Sequence, residues 1–150
     1  MKLQKILNHF QELHPKEIDL SLDRIKDLCQ RLGNPQDKLK VISVVGTNGK
    51  YSTIQAMFAI LKEANIKCNI YTSPHIKKIN ERFVFNNLEL NDEELASLFE
   101  EIESANNKEP ITFFEILTAA YFLKASQYPD NINLIETGLF HRFDATNILK

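Results

Sequence analysis

The sequence feature that most constrains the fold is an apolar run that leads directly into a glycine-containing turn and then into an amphipathic segment. Residues 41–45 are mostly β-branched, residues 46–53 read Gly-Thr-Asn-Gly-Lys-Tyr-Ser-Thr, and residues 54–64 carry apolar side chains at helical spacing. This order predicts a buried strand, a tight turn and a helix. The backbone N–H groups of such a turn and the helix N-terminus carry partial positive charge and point toward one place. The sequence therefore predicts an α/β fold with a phosphate-binding loop.

Each residue type in the turn suits contact with a phosphorylated ligand. Gly46 and Gly49 let the backbone approach a ligand closely. Lys50, the candidate catalytic residue, can reach a terminal phosphate, and a hydroxyl from Ser52 or Thr53 can ligate Mg²⁺. The candidate nucleotide-binding residues are Gly46, Thr47, Asn48, Gly49, Lys50, Ser52 and Thr53.

The turn departs from the strict phosphate-loop pattern at two positions. The first glycine of that pattern would fall at Val44, and the Ser or Thr that directly follows the lysine would fall at Tyr51. A tight strand-to-helix turn with an incidental surface lysine is therefore the structural alternative to a nucleotide site. The surrounding strand, turn and helix favour the nucleotide site.

The bulk composition argues against several other classes of function. The chain of 150 residues suits one domain, and 18 basic against 20 acidic side chains give a formal net charge of −2, without the basic surface that binds nucleic acid or anionic membranes. No apolar run approaches the ~20 residues needed to cross a bilayer. Cys29 and Cys68 stand alone, which argues against a zinc site and is expected in the reducing cytoplasm.

Two other classes of phosphate-loop protein do not fit the sequence. A GTPase would carry Asn-Lys-x-Asp to bind guanine, whereas the nearest sequence is Asn-Lys-Glu-Pro at residues 107–110. A small-molecule kinase usually clamps phosphates with several arginines, and this chain has few. Neither class is therefore expected.

Local signals predict several further elements. Residues 1–13 have one apolar stripe at helical spacing, and Ser21 as N-cap with Gly33 as the stop predicts a second helix. Asn-Asn at residues 86–87, between two apolar runs, predicts a β-hairpin. Thr and Glu at the two ends of residues 112–115 form a capping box that opens a long helix.

Two more apolar runs, at residues 67–71 and 131–136, are typical of buried strands and lead into polar side chains. Thr-Ser-Pro-His at residues 72–75 follows the first run, and Glu136 ends the second. Open α/β sheets bind ligands beyond the carboxyl ends of their strands, where a carboxylate can face Mg²⁺ across from the loop lysine. With the run before the loop, these are the three strands available to the sheet. Because such a sheet has an unpaired edge, the sequence predicts marginal stability or self-association.

Ordered motifs across residues 19–147 resemble the folylpolyglutamate synthase/dihydrofolate synthase family of the Mur ligase superfamily. The motifs are Gly-Thr-Asn-Gly-Lys-x-Ser at the loop, Thr-Ser-Pro-His and Asn-Glu-Arg within residues 72–82, Thr-x-Phe-Glu at residues 112–115, and Glu-x-Gly-Leu and Asp-Ala-Thr-Asn within residues 136–147. The phrase leading into the loop, residues 19–36, extends the resemblance upstream. The sequence departs from the family at Phe140-His141, where the family has a glycine pair.

The resemblance implies a three-layer α/β P-loop fold with a mainly parallel sheet and a β-hairpin excursion. Residues 1–150 would be the N-terminal portion of the ATP-binding domain, without the C-terminal glutamate-binding domain. The implied activity is ATP-dependent addition of glutamate to dihydropteroate or folate: the pterin carboxylate is phosphorylated, and the glutamate amine attacks the acyl phosphate. ATP and Mg²⁺ are the implied cofactors, and the pterin acid and glutamate are the implied small-molecule substrates.

The resemblance also implies roles for residues that the sequence pattern leaves open. Ser73 and Glu136 are the implied metal ligands, and Glu81 is implied to line the site. The implied substrate-binding residues are His75, Arg82, Thr112, Phe114, Asp144 and Ala145. Without the resemblance, His75 is equally well explained as a loop imidazole, and Thr112 and Phe114 as a helix cap and a core side chain.

A second hypothesis comes from a different class of function. In the family, the residues for a second metal, a carbamylated lysine and the glutamate-binding domain follow the Asp-Ala-Thr-Asn motif, and this sequence stops at Lys150. The chain would then be an incomplete copy or an inactive remnant that binds only nucleotide or a partner protein.

Overall fold

The structure, a computed structural model, describes residues 2–15, 20–138 and 141–149. Within these ranges, the helices α1 to α5 comprise Lys2–Glu12, Asp23–Arg31, Lys50–Glu63, Asp92–Asn106 and Phe113–Ala125. The strands β1 to β5 comprise Lys40–Val44, Cys68–Tyr71, Phe83–Phe85, Leu88–Glu89 and Ile132–Glu136. The strand, turn and helix predicted around the phosphate loop are therefore confirmed as β1, the loop and α3.

The strands form one mixed sheet in the order β1-β5-β2-β3-β4. β5 pairs in parallel with β1 and β2, whereas β3 runs antiparallel to β2 and β4 antiparallel to β3. The prediction of a three-stranded sheet is therefore wrong, because the hairpin joins the sheet. Asn86 and Asn87 adopt φ angles of 53° and 67°, which suit a two-residue hairpin turn, and Phe83 pairs with Tyr71. The hairpin thus moves one sheet edge to β4, while β1 remains the other edge.

Helices cover the two faces of the sheet unequally and so produce three layers. On the face here called the α5 side, α1, α2, α4 and α5 supply a large core that includes Phe10 and Phe99. On the opposite α3 side, the buried cluster consists of Ile54, Ile70 and Leu134. No helix in the described ranges is long and apolar enough to span a membrane.

A capping side chain sets where α5 begins, whereas α2 begins without one. Thr112 Oγ1 accepts the Glu115 N–H at 3.2 Å, and Glu115 Oε2 accepts the Thr112 N–H at 2.8 Å, which confirms the capping box. The N-cap of α2 is Leu22, so the prediction of Ser21 as its N-cap is wrong. Ser21 Oγ accepts a long 3.4 Å bond from the N–H of Asp23, the first helical residue, whereas an N-cap side chain normally reaches the second or third.

Asparagine side chains are buried between the amino ends of β2 and β5. Asn69 and Asn133 are fully buried, and Asn69 Nδ2 donates to Asn133 Oδ1 at 3.0 Å. Asn69 Oδ1 accepts from Asn131 Nδ2 at 3.1 Å and from the Asn86 N–H at 2.9 Å. The Tyr121 hydroxyl donates to Asn133 Oδ1 at 2.9 Å. This network, which the sequence pattern does not reveal, ties the hairpin turn and α5 to both strands.

Candidate active site

The phosphate loop lies between the carboxyl end of β1 and the N-terminus of α3. Gly49 is the N-cap of α3, with a φ of 75° that glycine adopts without strain. Lys50 Nζ donates to the Gly46 carbonyl oxygen at 2.8 Å, and Thr53 Oγ1 donates to the Gly49 carbonyl oxygen at 2.8 Å. The ammonium group is therefore held over the loop, next to a helix N-terminus that favours anions. The other predicted loop residues, Thr47, Asn48 and Ser52, are exposed.

Tyr51 follows the loop lysine without disturbing the helix. It lies in the first turn of α3 and is 55% exposed. Together with Ser73 and Glu136, it lines a cavity of about 550 Å³. The departure from the phosphate-loop pattern at this position therefore adds a bulky ring beside the site and leaves the backbone helical.

Glu136 and Ser73 meet at the carboxyl ends of neighbouring strands. Glu136 ends β5 and pairs with Val44, after which the phosphate loop begins. Ser73 lies two residues beyond β2, and its N–H donates to Glu136 Oε2 at 3.0 Å. Thr137 Oγ1 also donates to the Val44 carbonyl oxygen at 3.1 Å. Parallel pairing thus brings the loop and both candidate metal ligands to one edge of the sheet.

Ser73 and Glu136 have the chemistry of a partial Mg²⁺ site. A hydroxyl and a carboxylate are oxygen ligands that Mg²⁺ prefers, and proteins often hold this ion by one or two carboxylates together with phosphates and water. Glu136 is only 6% exposed, its Oε2 accepts the Ser73 N–H, and its side chain borders the cavity. In the part of the chain that the structure describes, no group of three or more His, Cys, Asp or Glu could hold a metal. The residues present therefore fit a metal shared with nucleotide phosphates.

Phe114 forms an aromatic wall on the α5 side of this edge. Its ring stacks on Tyr71, with 6.1 Å between the ring centroids and 20° between the planes. Burial raises the pKa of Tyr71, whose hydroxyl makes a 3.0 Å hydrogen bond with Thr118. A side-chain carbon at Gly138 would lie 3.8 Å from the Phe114 ring. The partly exposed Phe114 ring is therefore fixed between a buried tyrosine and the chain that leaves β5.

Asp144 holds the chain that follows β5. Its Oδ1 accepts the Gly138 N–H at 2.9 Å, and its Oδ2 accepts the Thr146 N–H at 3.0 Å and the Thr146 hydroxyl. A side chain at Gly138 would collide with the Asp144 carboxylate unless that carboxylate moved away from its bond to the Gly138 N–H. Asp144 and Ala145 are 5% and 4% exposed. The Asp144 carboxylate thus shapes the loop around the candidate substrate site.

The departure from the family at Phe140-His141 concerns the segment between these two hydrogen-bonded positions. Phe140 and the side chain of His141 lie outside the described residues. The effect of replacing the glycine pair therefore stays a prediction.

His75 and Arg82 form a hydrogen-bonded pair beyond β2. Arg82 Nε donates to His75 Nδ1 at 2.9 Å. Because this arginine nitrogen can only donate, His75 Nδ1 is an acceptor and the imidazole is neutral, with its proton on Nε2. Burial and the Arg82 charge lower the pKa of His75. Burial also lowers the pKa of Arg82, against the opposing effects of Tyr71 and Glu136.

Glu81 and Thr112 use their side-chain oxygens to hold the backbone. The Glu81 carboxylate accepts three N–H bonds from residues 76–78 at 2.8–2.9 Å, and these bonds lower its pKa. Thr112 Oγ1 caps α5.

Sequence reasoning missed two residues that shape the site, Tyr71 and Gly138. Tyr71 ends a predicted strand, and Gly138 lies in the Glu-x-Gly motif.

Comparison with known proteins finds the same family in several organisms. No family model matches the chain. The dihydrofolate synthase/folylpolyglutamate synthase of Escherichia coli is 37% identical over 145 residues, covering 95% of this chain and 34% of that protein. The Bacillus subtilis enzyme of that name is 37% identical over 137 residues, covering 86% of this chain and 32% of its own length.

Solved structures agree with this chain over nearly its whole length. E. coli FolC in complex with DHPP and ADP has a TM-score of 0.89 and 36% identity, and the match covers 98% of this chain and 36% of that one. The Yersinia pestis folylpolyglutamate synthase/dihydrofolate synthase complexed with AMPPNP and Mn has a TM-score of 0.90 and 33% identity, with 98% and 36% coverage.

The fold and the site together define a three-layer α/β protein of the Mur ligase type, with a compact phosphate loop at the carboxyl edge of its sheet. Nearly the whole chain is similar to a segment of the dihydrofolate synthase/folylpolyglutamate synthases. It spans about a third of the length of the relatives it matches.

Proposed function

We propose that this chain binds MgATP at its phosphate loop and a pterin acid beside Phe114, as part of a ligase that adds glutamate to dihydropteroate or folate. The proposal is supported by the contact of Ser73 with Glu136 at the carboxyl ends of β2 and β5, next to β1, after which the loop with Lys50 begins. The ADP, DHPP, AMPPNP and Mn bound in the similar solved structures support these ligand classes.

The nucleotide phosphates would lie on the exposed loop. Backbone N–H groups of residues 46–49 and the N-terminus of α3 would bind them. Lys50 would exchange its bond to the Gly46 carbonyl oxygen for one to the transferring phosphoryl group, whose negative charge it would offset. Ser73 and Glu136 would hold Mg²⁺, which, when bound, neutralises phosphate charge.

The pterin acid would lie on the α5 side of the same edge. The partly exposed ring of Phe114 suits stacking by a planar ring. Arg82, oriented through Nε by His75, has terminal N–H groups suited to a carboxylate. Asp144 and Ala145 would contact the pterin from the loop that the Asp144 carboxylate holds. The pterin carboxylate would be phosphorylated there, and the glutamate amine would attack the acyl phosphate.

The proposal also says which part of the ligase the 150 residues form. They would be the N-terminal portion of the ATP-binding domain, and glutamate would be bound by a domain outside them. Cys29 and Cys68 are buried free thiols, in keeping with the reducing cytoplasm. We expect no glutamate addition by these residues alone.

The alternative function is that of a remnant that binds only nucleotide or a partner protein. Titration with pteroic acid in the presence of AMPPNP separates the two. Binding of pteroic acid favours the ligase, whereas nucleotide binding without pteroic acid binding favours the remnant.

We also infer that the chain self-associates through β1. Among the described strands, β1 pairs with β5 and lies at the sheet edge. Ile42 in this strand is 39% exposed, and Val45 just beyond it is 54% exposed. An edge strand with apolar side chains and unpaired backbone groups is a template for pairing with another chain.

Calorimetric titration with AMPPNP and Mg²⁺ tests the nucleotide site. Lys50→Ala should weaken binding by about 1.5–3 kcal/mol, the contribution of a charged hydrogen bond. Lys62→Ala is the matched control, because Lys62 lies in the last turn of the same helix. Omitting Mg²⁺ should weaken binding to the parent more than to Glu136→Gln. Equal binding by the parent and Lys50→Ala would show that the loop is a structural turn.

A further inference from the structure

The segment before the phosphate loop, residues 19–36, contains an arginine, Arg24, whose side chain contacts α5. Arg24 lies in α2, and its Nε donates to Glu115 Oε2 at 3.1 Å. The side chains of Arg24 and Glu115 are 19% and 7% exposed. The ion pair is therefore largely removed from water, and it joins residues 91 positions apart in the sequence.

The carboxylate that Arg24 contacts is the one that caps α5. Glu115 Oε2 accepts both the Arg24 Nε–H and the Thr112 N–H, the latter at 2.8 Å. Removing one partner of a buried ion pair leaves an uncompensated charge. Without Arg24, the Glu115 carboxylate would turn toward water, and its bond to the Thr112 N–H would weaken.

The first turn of α5 carries the aromatic wall of the candidate substrate site. Phe114 lies between Thr112 and Glu115, so the capping box sets the direction of the backbone from which its ring projects. That ring stacks on the fully buried Tyr71. A fixed first turn keeps Phe114 in one place, whereas a frayed turn lets it move away from the site.

We propose that Arg24 is a positioning residue for the substrate site: through Glu115 it holds the first turn of α5, and thereby keeps Phe114 where a pterin ring would stack. The identity of that ligand rests on the proposed function. This role also gives a physical reason for the arginine in the segment upstream of the phosphate loop.

Amide hydrogen exchange on the 150-residue chain measures the capping contact directly. In Arg24→Met, exchange of the Thr112 amide should accelerate about fivefold relative to the Ala120 amide in the middle of α5, as expected for a weakened helix cap. Arg24→Lys should restore part of the protection, because lysine keeps the charge without the guanidinium geometry. Arg31→Met is the matched control on α2, since Arg31 bonds the carbonyl oxygens of Ala105 and Asn106 instead.

Ligand binding then separates this inference from the proposed function. Arg24→Met should bind pteroic acid about fivefold more weakly than the parent, with AMPPNP affinity unchanged and the defect partly restored in Arg24→Lys. Equal pteroic acid affinity in parent and Arg24→Met would overturn the inference alone. The inference would also be overturned if amide exchange in Arg24→Met accelerated equally along the whole of α5. The same holds if the Thr112 amide exchanged as fast in Arg31→Met as in Arg24→Met. A parent that binds no pteroic acid would overturn both the inference and the substrate half of the proposed function.

Discussion

The two faces of the sheet differ in how completely the described helices cover them. On the α5 side, four helices contribute to a cluster of 23 buried residues. On the α3 side, the corresponding cluster contains three, beneath a single helix. The α3 side also leaves Ile60 69% exposed and Ile42 39% exposed. One face is a packed core, and the other is an accessible surface.

The two faces of this small sheet differ in which of them holds side chains in place and which is accessible from solvent. Phe114 and Asp144, on the α5 side, are each held by buried partners or backbone N–H groups. The phosphate loop is largely exposed, and Glu136 borders an open cavity next to α3. The covered face therefore fixes the positions of side chains, while the other face leaves the loop and the cavity accessible to solvent.

The largest expected effect comes from truncating an aromatic residue on each face. Phe99 is fully buried and makes edge contacts with Phe10 and Phe83, at 5.4 and 5.7 Å between ring centroids. Phe99→Ala should lower the free energy of unfolding by about 3–5 kcal/mol. Phe58→Ala on α3 should cost less than half as much, because that ring is only partly buried. Urea denaturation of the two variants measures the difference.

A loss of that size is a large part of the stability of a small domain, so Phe99→Ala is also expected to be hard to fold. Phe99→Leu and Phe58→Leu then form a milder matched pair. If the two leucine variants lose equal stability, the two faces are not unequal in the way that their burial indicates.

An intermediate effect is expected at the uncovered edge. Ile42→Lys places a charge on β1 and should weaken self-association by more than about 1 kcal/mol. Leu88→Lys is the control, because Leu88 is 72% exposed on the two-residue strand β4 at the other edge. Sedimentation equilibrium measures both variants against the parent. A parent that remains a monodisperse monomer at high concentration, with one sharp melting transition, would contradict association through β1.

The smallest expected effect concerns the loop between β2 and β3. Residues 76–78 donate three N–H bonds to Glu81, and these bonds lower its pKa from the usual 4.5. A lowered carboxyl pKa stabilises the folded state above the unfolded-state pKa, and this contribution is lost as the pH falls through the folded-state pKa. The stability difference between the parent and Glu81→Gln should therefore shrink below about pH 4.5. Unfolding measured from pH 7 to pH 3 checks this.

The control for this titration is Glu101→Gln, on the exposed surface of α4. Its stability difference from the parent should change less across the same range. If the two glutamine variants behave alike, the backbone bonds to Glu81 do not stabilise the loop.

The sequence by itself determined the local elements around the site. The β-branched run, the glycine turn and the amphipathic segment predicted β1, the loop and α3, and the Thr112–Glu115 spacing predicted the start of α5. Gly33, with a φ of 80°, ends α2 as expected. These predictions succeed because caps and turns depend on interactions between residues only a few positions apart.

Sequence patterns within each segment were not sufficient to predict which strands pair in the sheet. The Asn86-Asn87 turn predicted a hairpin, yet only the folded chain shows that β3 pairs with β2 and so extends the sheet. Alternation along a strand indicates which side chains share a face, but it does not select the neighbouring strand.

Tertiary structure alone also decided the polar partners that hold the site and the sheet. Asn69 and Asn133 are 64 residues apart, and Arg24 and Glu115 are 91 residues apart. An amide or a guanidinium has the same bonding capacity wherever it occurs in the sequence. Its partner is set by which elements the topology brings together and by which polar groups are then removed from water, where an unpaired group is costly.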